Sequence, residues 1–487
     1  MYIKRTLSLI LGVILTYTLS SGLAFADKAE DAAAKKAVND DCIGCHINVN
    51  PGIVKQYLNS PMANTKSKVD VVGCTDCHSD GHKTAKDYAK AEMPTPETCG
   101  ECHEDQVDQL REGKHNLAWV GMKSQIAWHG QPGSIVEEGY RGCSGCHKIG
   151  QKDLIAEGEG LASSLTVDED HKESAKYRYG NAQCDACHTR HSFTKAEAQD
   201  PRTCSNCHMG FDHPQWEMFM SSKHGIIWDI EGNKNERGRA PTCQKCHMNE
   251  GNHTVKTSWG FLGLRVPSEH NVRSLIGAAP ELKEPLTKLA DILKDAGFTG
   301  NFDDVDDDPE WVLDRAKILQ AAGVLDANLQ PTERFIEIVL IGQAARGVEE
   351  FNELRTGMKE ICSECHTKGF INSHFKASDS IVKAADHEFA KAIKAVQGLY
   401  DDGFLKKPDE WKYAPDLLQY YDAKTSVEQE LYLIMLEYRQ RTFQGAFHAS
   451  NDYMHWYGWA PLNSSVNKIL EEAKKMREVT PTIQMKF

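Results

Sequence analysis

Hydrophobic and polar positions follow two different rhythms along the 487 residues, with the change near Arg265. Beyond it Ala, Leu, Glu and Lys dominate, and apolar positions recur at helical intervals. Between Glu428 and Phe447, Leu431, Ile434, Met435, Tyr438 and Phe443 keep that spacing. One helical face is therefore expected to pack while Glu430, Glu437 and Arg439 face elsewhere, with Gly445 loosening the end. From Cys42 to about Thr254, by contrast, connectors rich in Gly, Pro, Asn and Asp break up any sustained period. Long elements are not expected there. The reading is a mainly α protein with almost no sheet: a loop-and-helix region over 27–265 and a long-helix region over 266–487.

Two shorter stretches stand apart. The acidic run Phe302 to Trp311 holds clustered carboxylates from Asp303 to Asp308, which could bind calcium. The favoured reading is a solvated loop before a helix, with Asp308 as cap and Pro309 at the first helical position. Residues 1–26 carry Lys4 and Arg5, a largely apolar run from Leu7 to Leu15, then small and polar residues ending Ala24-Phe25-Ala26. That is the pattern of a secretory signal with a short apolar core, so export to a periplasm-like compartment is expected. No other segment approaches eighteen uninterrupted apolar residues, so no membrane span is expected. With 56 Lys and Arg against 70 Asp and Glu the net charge is −14, and losing Lys4 and Arg5 would deepen it. Such acidity argues against a nucleic-acid partner and suits a basic electron acceptor.

The cysteines change the picture most. All 16 fall in Cys-x-x-Cys-His motifs, at Cys42 and Cys45, Cys74 and Cys77, Cys99 and Cys102, Cys143 and Cys146, Cys184 and Cys187, Cys204 and Cys207, Cys243 and Cys246, and Cys362 and Cys365. None is left over for a disulfide. Two thiols at this spacing form thioethers to the vinyl groups of one haem, and the histidine that follows reaches the iron. Zinc sites would not need a histidine after every pair, and a redox Cys-x-x-Cys would not recur eight times. Eight covalently bound c-type haems are expected, with His46, His78, His103, His147, His188, His208, His247 and His366 as proximal ligands. In the 27–265 region their faces would supply the apolar surface that side chains do not.

Thirteen histidines remain outside the motifs: His82, His115, His129, His171, His191, His213, His224, His253, His270, His374, His387, His448 and His455. A haem that only passes electrons is closed by a second axial ligand, whereas one that does chemistry keeps a position open. Most of the set are therefore expected to be ligands. The stretch Cys204 to His224 concentrates a haem motif, the acid-histidine pair Asp212 and His213, and His224.

The segments CHMGFDHPQWEMFMSSKHG, CHTRHSF, CHMNEGNH and GAFHASNDYMHWYGW, together with the eight motifs, resemble the octahaem hydroxylamine oxidoreductases, including hydrazine dehydrogenase-like members. A more distant similarity runs to the pentahaem cytochrome c nitrite reductases. The resemblance implies that the fourth haem, on Cys143, Cys146 and His147, is catalytic with an open distal side. It places the pocket's acid and histidine on Asp212 and His213; the alternative for His213 is another axial ligand. It implies a crossed set of distal ligands: His253 for the haem of His188, His115 for that of His208, His448 for that of His247 and His224 for that of His366. His82, His171 and His191 are the choices for the first three haems, with His129 and His374 in reserve. In the oxidising branch a C-terminal tyrosine from a neighbouring subunit is bonded to the catalytic haem, and Tyr453 stands at the matching position, with Tyr457 as fallback. Such a cross-link would make the protein a homotrimer or a multiple of one. The family's further pocket tyrosine, expected between the seventh and eighth motifs, is not found there, since the chain lacks tyrosine from Gly260 to Leu399; either another polar group replaces it or it lies elsewhere in the chain. The activity implied is oxidation of hydroxylamine to nitric oxide or nitrite, with electrons passed to an external cytochrome. Alternatives are oxidation of hydrazine to dinitrogen, reduction of nitrite or hydroxylamine, and a non-catalytic electron conduit.

Overall fold

The computed structural model describes residues 36–64, 72–119, 134, 145–147, 149, 184–210, 212–232, 238–260, 262–302, 308–335, 338–339, 345–419 and 423–484. Residues 1–26, Cys143, His129, His171 and Asp303 to Asp307 lie outside them. Two compact units are present, residues 1–107 with 181–199, and 108–180 with 200–487. This division does not follow the compositional change at Arg265.

The first unit is built of short helices, 36–49, Pro51–Leu58 and Cys74–His78, joined by irregular chain. The unit also holds Pro96 to Val107 of helix Pro96–Glu112, which is longer than its connectors suggest, though it breaks at His103, whose φ and ψ are −122° and 47°. Asn39 ties the ends together. Its Oδ1 accepts from the Cys74 N–H at 3.1 Å, and its Nδ2 donates to the Tyr57 hydroxyl at 2.9 Å.

In the second unit strand is limited, among the described residues, to β1 (Leu264–Val266) paired in parallel with β2 (Ala345–Gly347), in the register Leu264 to Ala345. The centre is helix Lys368–Asp401, 34 residues and so about 50 Å long. Thr367 caps its start, accepting from the Phe370 N–H at 3.4 Å. Its buried residues Phe375, Val382, Phe389, Ile393 and Val396 recur at intervals of three, four and seven, so a continuous stripe faces Pro309–Ala321, Arg439–Phe447 and Ala460–Gln484. Asp308 caps Pro309–Ala321 as expected, accepting from the Trp311 N–H at 2.8 Å.

Two expectations for residues 428–447 are corrected. Arg439 is buried rather than outward-facing: its Nε donates to Asp386 Oδ1 at 2.6 Å, and the other oxygen of Asp386 accepts from Trp311 Nε1 at 2.7 Å. The cause is a π-helical turn over Ile434–Tyr438, which rotates the next helical residues away from the simple 3.6-residue period. Glu430 and Glu437 do stay partly exposed, pairing with Lys468 at 3.1 Å and Arg441 at 2.6 Å. Gly445 does not loosen the helix, which continues to Phe447. A Cβ there would lie 2.9 Å from the Met454 Cβ, so glycine lets the next segment pack closely. Among the described residues, no helix is long and apolar enough to cross a membrane.

Candidate haem ligands and distal pocket

The described motifs lie on helical turns, as in the short helices Cys74–His78 and Cys243–His247. The amides of His188, His208 and His366 each donate to the carbonyl of the motif's first cysteine, Cys184, Cys204 and Cys362, at 2.9 Å. Positions i, i+3 and i+4 share one face of such a turn, which brings two thiols and an imidazole out together. Attachment sites also neighbour one another. In the first unit the Cys42 thiol lies within hydrogen-bonding reach of Cys74, and that of Cys99 within reach of Cys184. In the second Cys204 reaches Cys243, and Cys146 Sγ lies 3.8 Å from the Asn206 carbonyl.

Five proximal histidines face a second histidine at nearly one separation. Ring centres are 5.9 Å apart for His46 and His82, 6.1 Å for His78 and His191, 6.1 Å for His115 and His208, 6.3 Å for His247 and His448, and 6.1 Å for His224 and His366. Two imidazoles on opposite sides of one metal, each bonded at about 2 Å, span such a distance. The outer nitrogens are held as ligating histidines hold them. Nδ1 of His46 meets Asn50 Oδ1 at 3.1 Å, that of His82 meets Asp87 Oδ1 at 3.1 Å, and that of His78 meets the Glu92 carbonyl at 2.8 Å. His208 uses Gln215 Oε1 at 3.2 Å and His448 the Gln444 carbonyl at 2.8 Å. Such contacts leave Nε2 for the metal and orient the ring. Burial also lowers the pKa of His208 to about 4 and of His247 to about 3, with nearby histidine charges adding to the effect, so both rings are neutral as ligation requires. The side chains present therefore fit a haem iron between each pair.

The other candidates are placed differently. His253 Nδ1 meets the Gly251 carbonyl at 2.8 Å; it lies in the second unit, and His188 in the first. His374, on the long helix, bonds the Phe447 carbonyl close to His224 and His366. His387 pairs with Asp314 at 3.0 Å, and the His455 ring meets Trp456 edge-on at 4.8 Å.

Around His147 the arrangement changes. Asp212 and His213 lie close enough that their charges act on its imidazole, whose pKa is lowered first by burial and then by His213. Asp212 Oδ1 makes a short hydrogen bond with His213 Nδ1, and His213 Nε2 meets the Cys207 carbonyl at 2.9 Å. Both acceptors favour an imidazolium that donates from each nitrogen. Burial works against that charge, but the bond to Asp212, its charge and the Cys207 carbonyl outweigh it, and the His213 pKa is raised. His208 is almost as near to His213 (6.2 Å) as to His115, yet both nitrogens of His213 are engaged with protein acceptors. Tyr453 stacks on Tyr457 at 4.7 Å and 26°, with Tyr457 and Trp456 exposed. Glu217 is near both His213 and Tyr453, and its Oε2 is buried without a hydrogen bond.

Reading the sequence missed Gln215 and Gln444. Their amides join at 2.9 Å, and Gln444 Nε2 donates to the Asp212 carbonyl at 3.5 Å. With 229 positions between them, nothing in either neighbourhood signals the pair.

Residues 70–270 match the multi-haem cytochrome family described as seven times CxxCH, and residues 17–79 match cytochrome c554 and c-prime. The motif at Cys362 lies beyond both. The chain is similar to a probable nitrite reductase-hydroxylamine oxidoreductase fusion protein of Kuenenia stuttgartiensis, at 24% identity over 540 residues. That match covers 90% of this chain and 52% of the fusion protein, so the chain spans about half the length of this curated relative. Among solved structures it resembles a chain of the Kuenenia stuttgartiensis reducing HAO-like protein complex, with TM-score 0.60, 21% identity and coverage of 93% of this chain and 88% of that one. It also resembles a hypothetical multiheme protein, with TM-score 0.57, 19% identity and coverage of 94% and 99%.

Proposed function

We propose that this chain, a multihaem cytochrome c with hydroxylamine oxidoreductase-like relatives, is an exported octahaem oxidoreductase that oxidises hydroxylamine to nitric oxide or nitrite. The carrying observation is the Asp212 and His213 pair beside His147. In this reading Cys143, Cys146 and His147 hold the catalytic haem. A c-type haem with one protein ligand supplies an open coordination position and accepts electrons from what binds there. His213 handles the substrate's protons, and Asp212 keeps its ring oriented and its charge compensated. His213 can take a substrate proton only after Nε2 has given up the proton it donates to the Cys207 carbonyl. The remaining haems carry electrons to an external cytochrome. His82, His191, His115, His448 and His224 close those of His46, His78, His208, His247 and His366. Export through residues 1–26, a periplasmic location, a homotrimer and a bond from Tyr453 to the catalytic haem belong to the same reading. Hydrazine as substrate would use the same groups.

A reductive reading is favoured by one observation: His213, donating from both nitrogens, is set to give a proton rather than to take one. The structurally similar reducing HAO-like complex points the same way. Anaerobic turnover separates the two. Hydroxylamine with oxidised cytochrome c is expected to outpace nitrite with a reduced viologen; the reverse order would establish the reductase. Turnover in neither direction, with every iron six-coordinate by electron paramagnetic resonance, would make the protein a conduit. A denatured mass of one chain plus eight haems would remove the cross-link.

A further inference from the structure

A chain of amides runs from a haem ligand toward the pocket. His208 Nδ1 meets Gln215 Oε1 at 3.2 Å, Gln215 Nε2 donates to Gln444 Oε1 at 2.9 Å, and Gln444 Nε2 donates to Gln440 Oε1 at 3.3 Å and to the Asp212 carbonyl at 3.5 Å. The backbone of the same Gln444 accepts from His448 Nδ1 at 2.8 Å. Gln440 and Gln444 are buried. The direction of the chain comes from one proton: if Nε2 of His208 takes the iron, Nδ1 carries the hydrogen, Gln215 must present its oxygen, and each later amide is set in turn. A carboxylate is the common partner for a ligating histidine and makes the ring more anionic, whereas an amide carbonyl polarises it only moderately.

We infer that Gln215, oriented by Gln444, is a positioning residue that sets the electron-donating strength of the His208 imidazole and so the reduction potential of the sixth haem. The inference rests on His115 and His208 being that haem's two axial ligands. A stronger acceptor on Nδ1 stabilises ferric iron and lowers the potential; loss of the acceptor raises it.

The test is a spectroelectrochemical titration of the haem-loaded full chain, with electron paramagnetic resonance following each low-spin signal. Gln215→Glu is expected to lower the midpoint of one bis-histidine haem and Gln215→Met to raise that of the same haem, with the haem count unchanged. Gln444→Met should move it in the direction of Gln215→Met and by less. Shifts of the same sign for Glu and Met, or no shift with all haems bound, would overturn the inference, since a merely structural residue does not invert with acceptor strength. His115→Met identifies the haem independently by converting one bis-histidine signal to histidine-methionine. If it converts a different signal from the one Gln215 moves, the ligand assignment is wrong, and the inference falls with it.

Discussion

The two units solve the problem of a core in opposite ways. Among the described residues of the first, the buried apolar side chains are Val54, Tyr57, Pro96 and Val107, while Val38, Ile47, Val49, Ile53, Leu58 and Tyr88 are exposed on the polypeptide. The second holds a continuous cluster from Leu262 to Ala473, in which Leu286, Phe389, Ile393 and Ile434 are fully buried. A chain segment with so little apolar burial cannot offset its conformational entropy unaided. In the first unit covalent haem therefore takes the place of aliphatic side chains, and the motif density is the measure of that substitution.

The strongest consequence concerns the cofactor itself. Protein made without haem attachment should show no slowly exchanging amides in 36–107 and 184–199, whereas 262–484 keeps helix and slow exchange. Hydrogen exchange by mass spectrometry reads both at once, and equal loss in the two regions would remove the distinction. Next, His213→Ala should reduce turnover by about 10² to 10⁴. The pyridine haemochrome stoichiometry should not change, which would show that the pocket in the self-supported unit contributes chemistry and not haem binding.

A change confined to the side-chain core comes third. Asp386→Ala leaves the Arg439 guanidinium and the Trp311 indole N–H buried without their carboxylate, so a loss of about 3 to 5 kcal/mol is expected, read as a lower denaturation midpoint. The first unit should not respond. A smaller effect is a displaced pH profile. Because the His213 pKa is raised, its pairing with Asp212 is fully present below the ordinary imidazole value of 6.5 and is lost as pH rises through the raised value. Asp212→Asn should move that limb of the turnover profile to lower pH; an unmoved limb would belong to another group. Smallest is Asp308→Ala, which removes a helix cap for about 1 kcal/mol in thermal unfolding.

Some of this was open to reading in one dimension, and some was not. Asp308 and Pro309 act within one turn, so their role could be read from neighbouring residues. Arg439 and Gly445 were misread because both answer to partners outside their own helix, Asp386 and Met454, and because a π-turn shifted the period between them and the preceding stripe. Asp212 and His213 could be nominated as adjacent residues with the right chemistry. That His213 also meets the Cys207 carbonyl, and is thereby held as a double donor, depends on how the chain turns back after the motif.

The eight Cys-x-x-Cys-His motifs were legible from the sequence alone, because haem attachment needs only residues within one helical turn. The helical character beyond Arg265 came in the same way from a local period. The resemblance pairs His115 with His208 and His224 with His366, but what brings those rings face to face is tertiary packing. The same holds for the joining of Gln215 to Gln444 across 229 positions. A covalent motif carries its geometry within a few bonds, whereas an axial pair exists only where packing holds two distant segments about 6 Å apart, ring centre to ring centre.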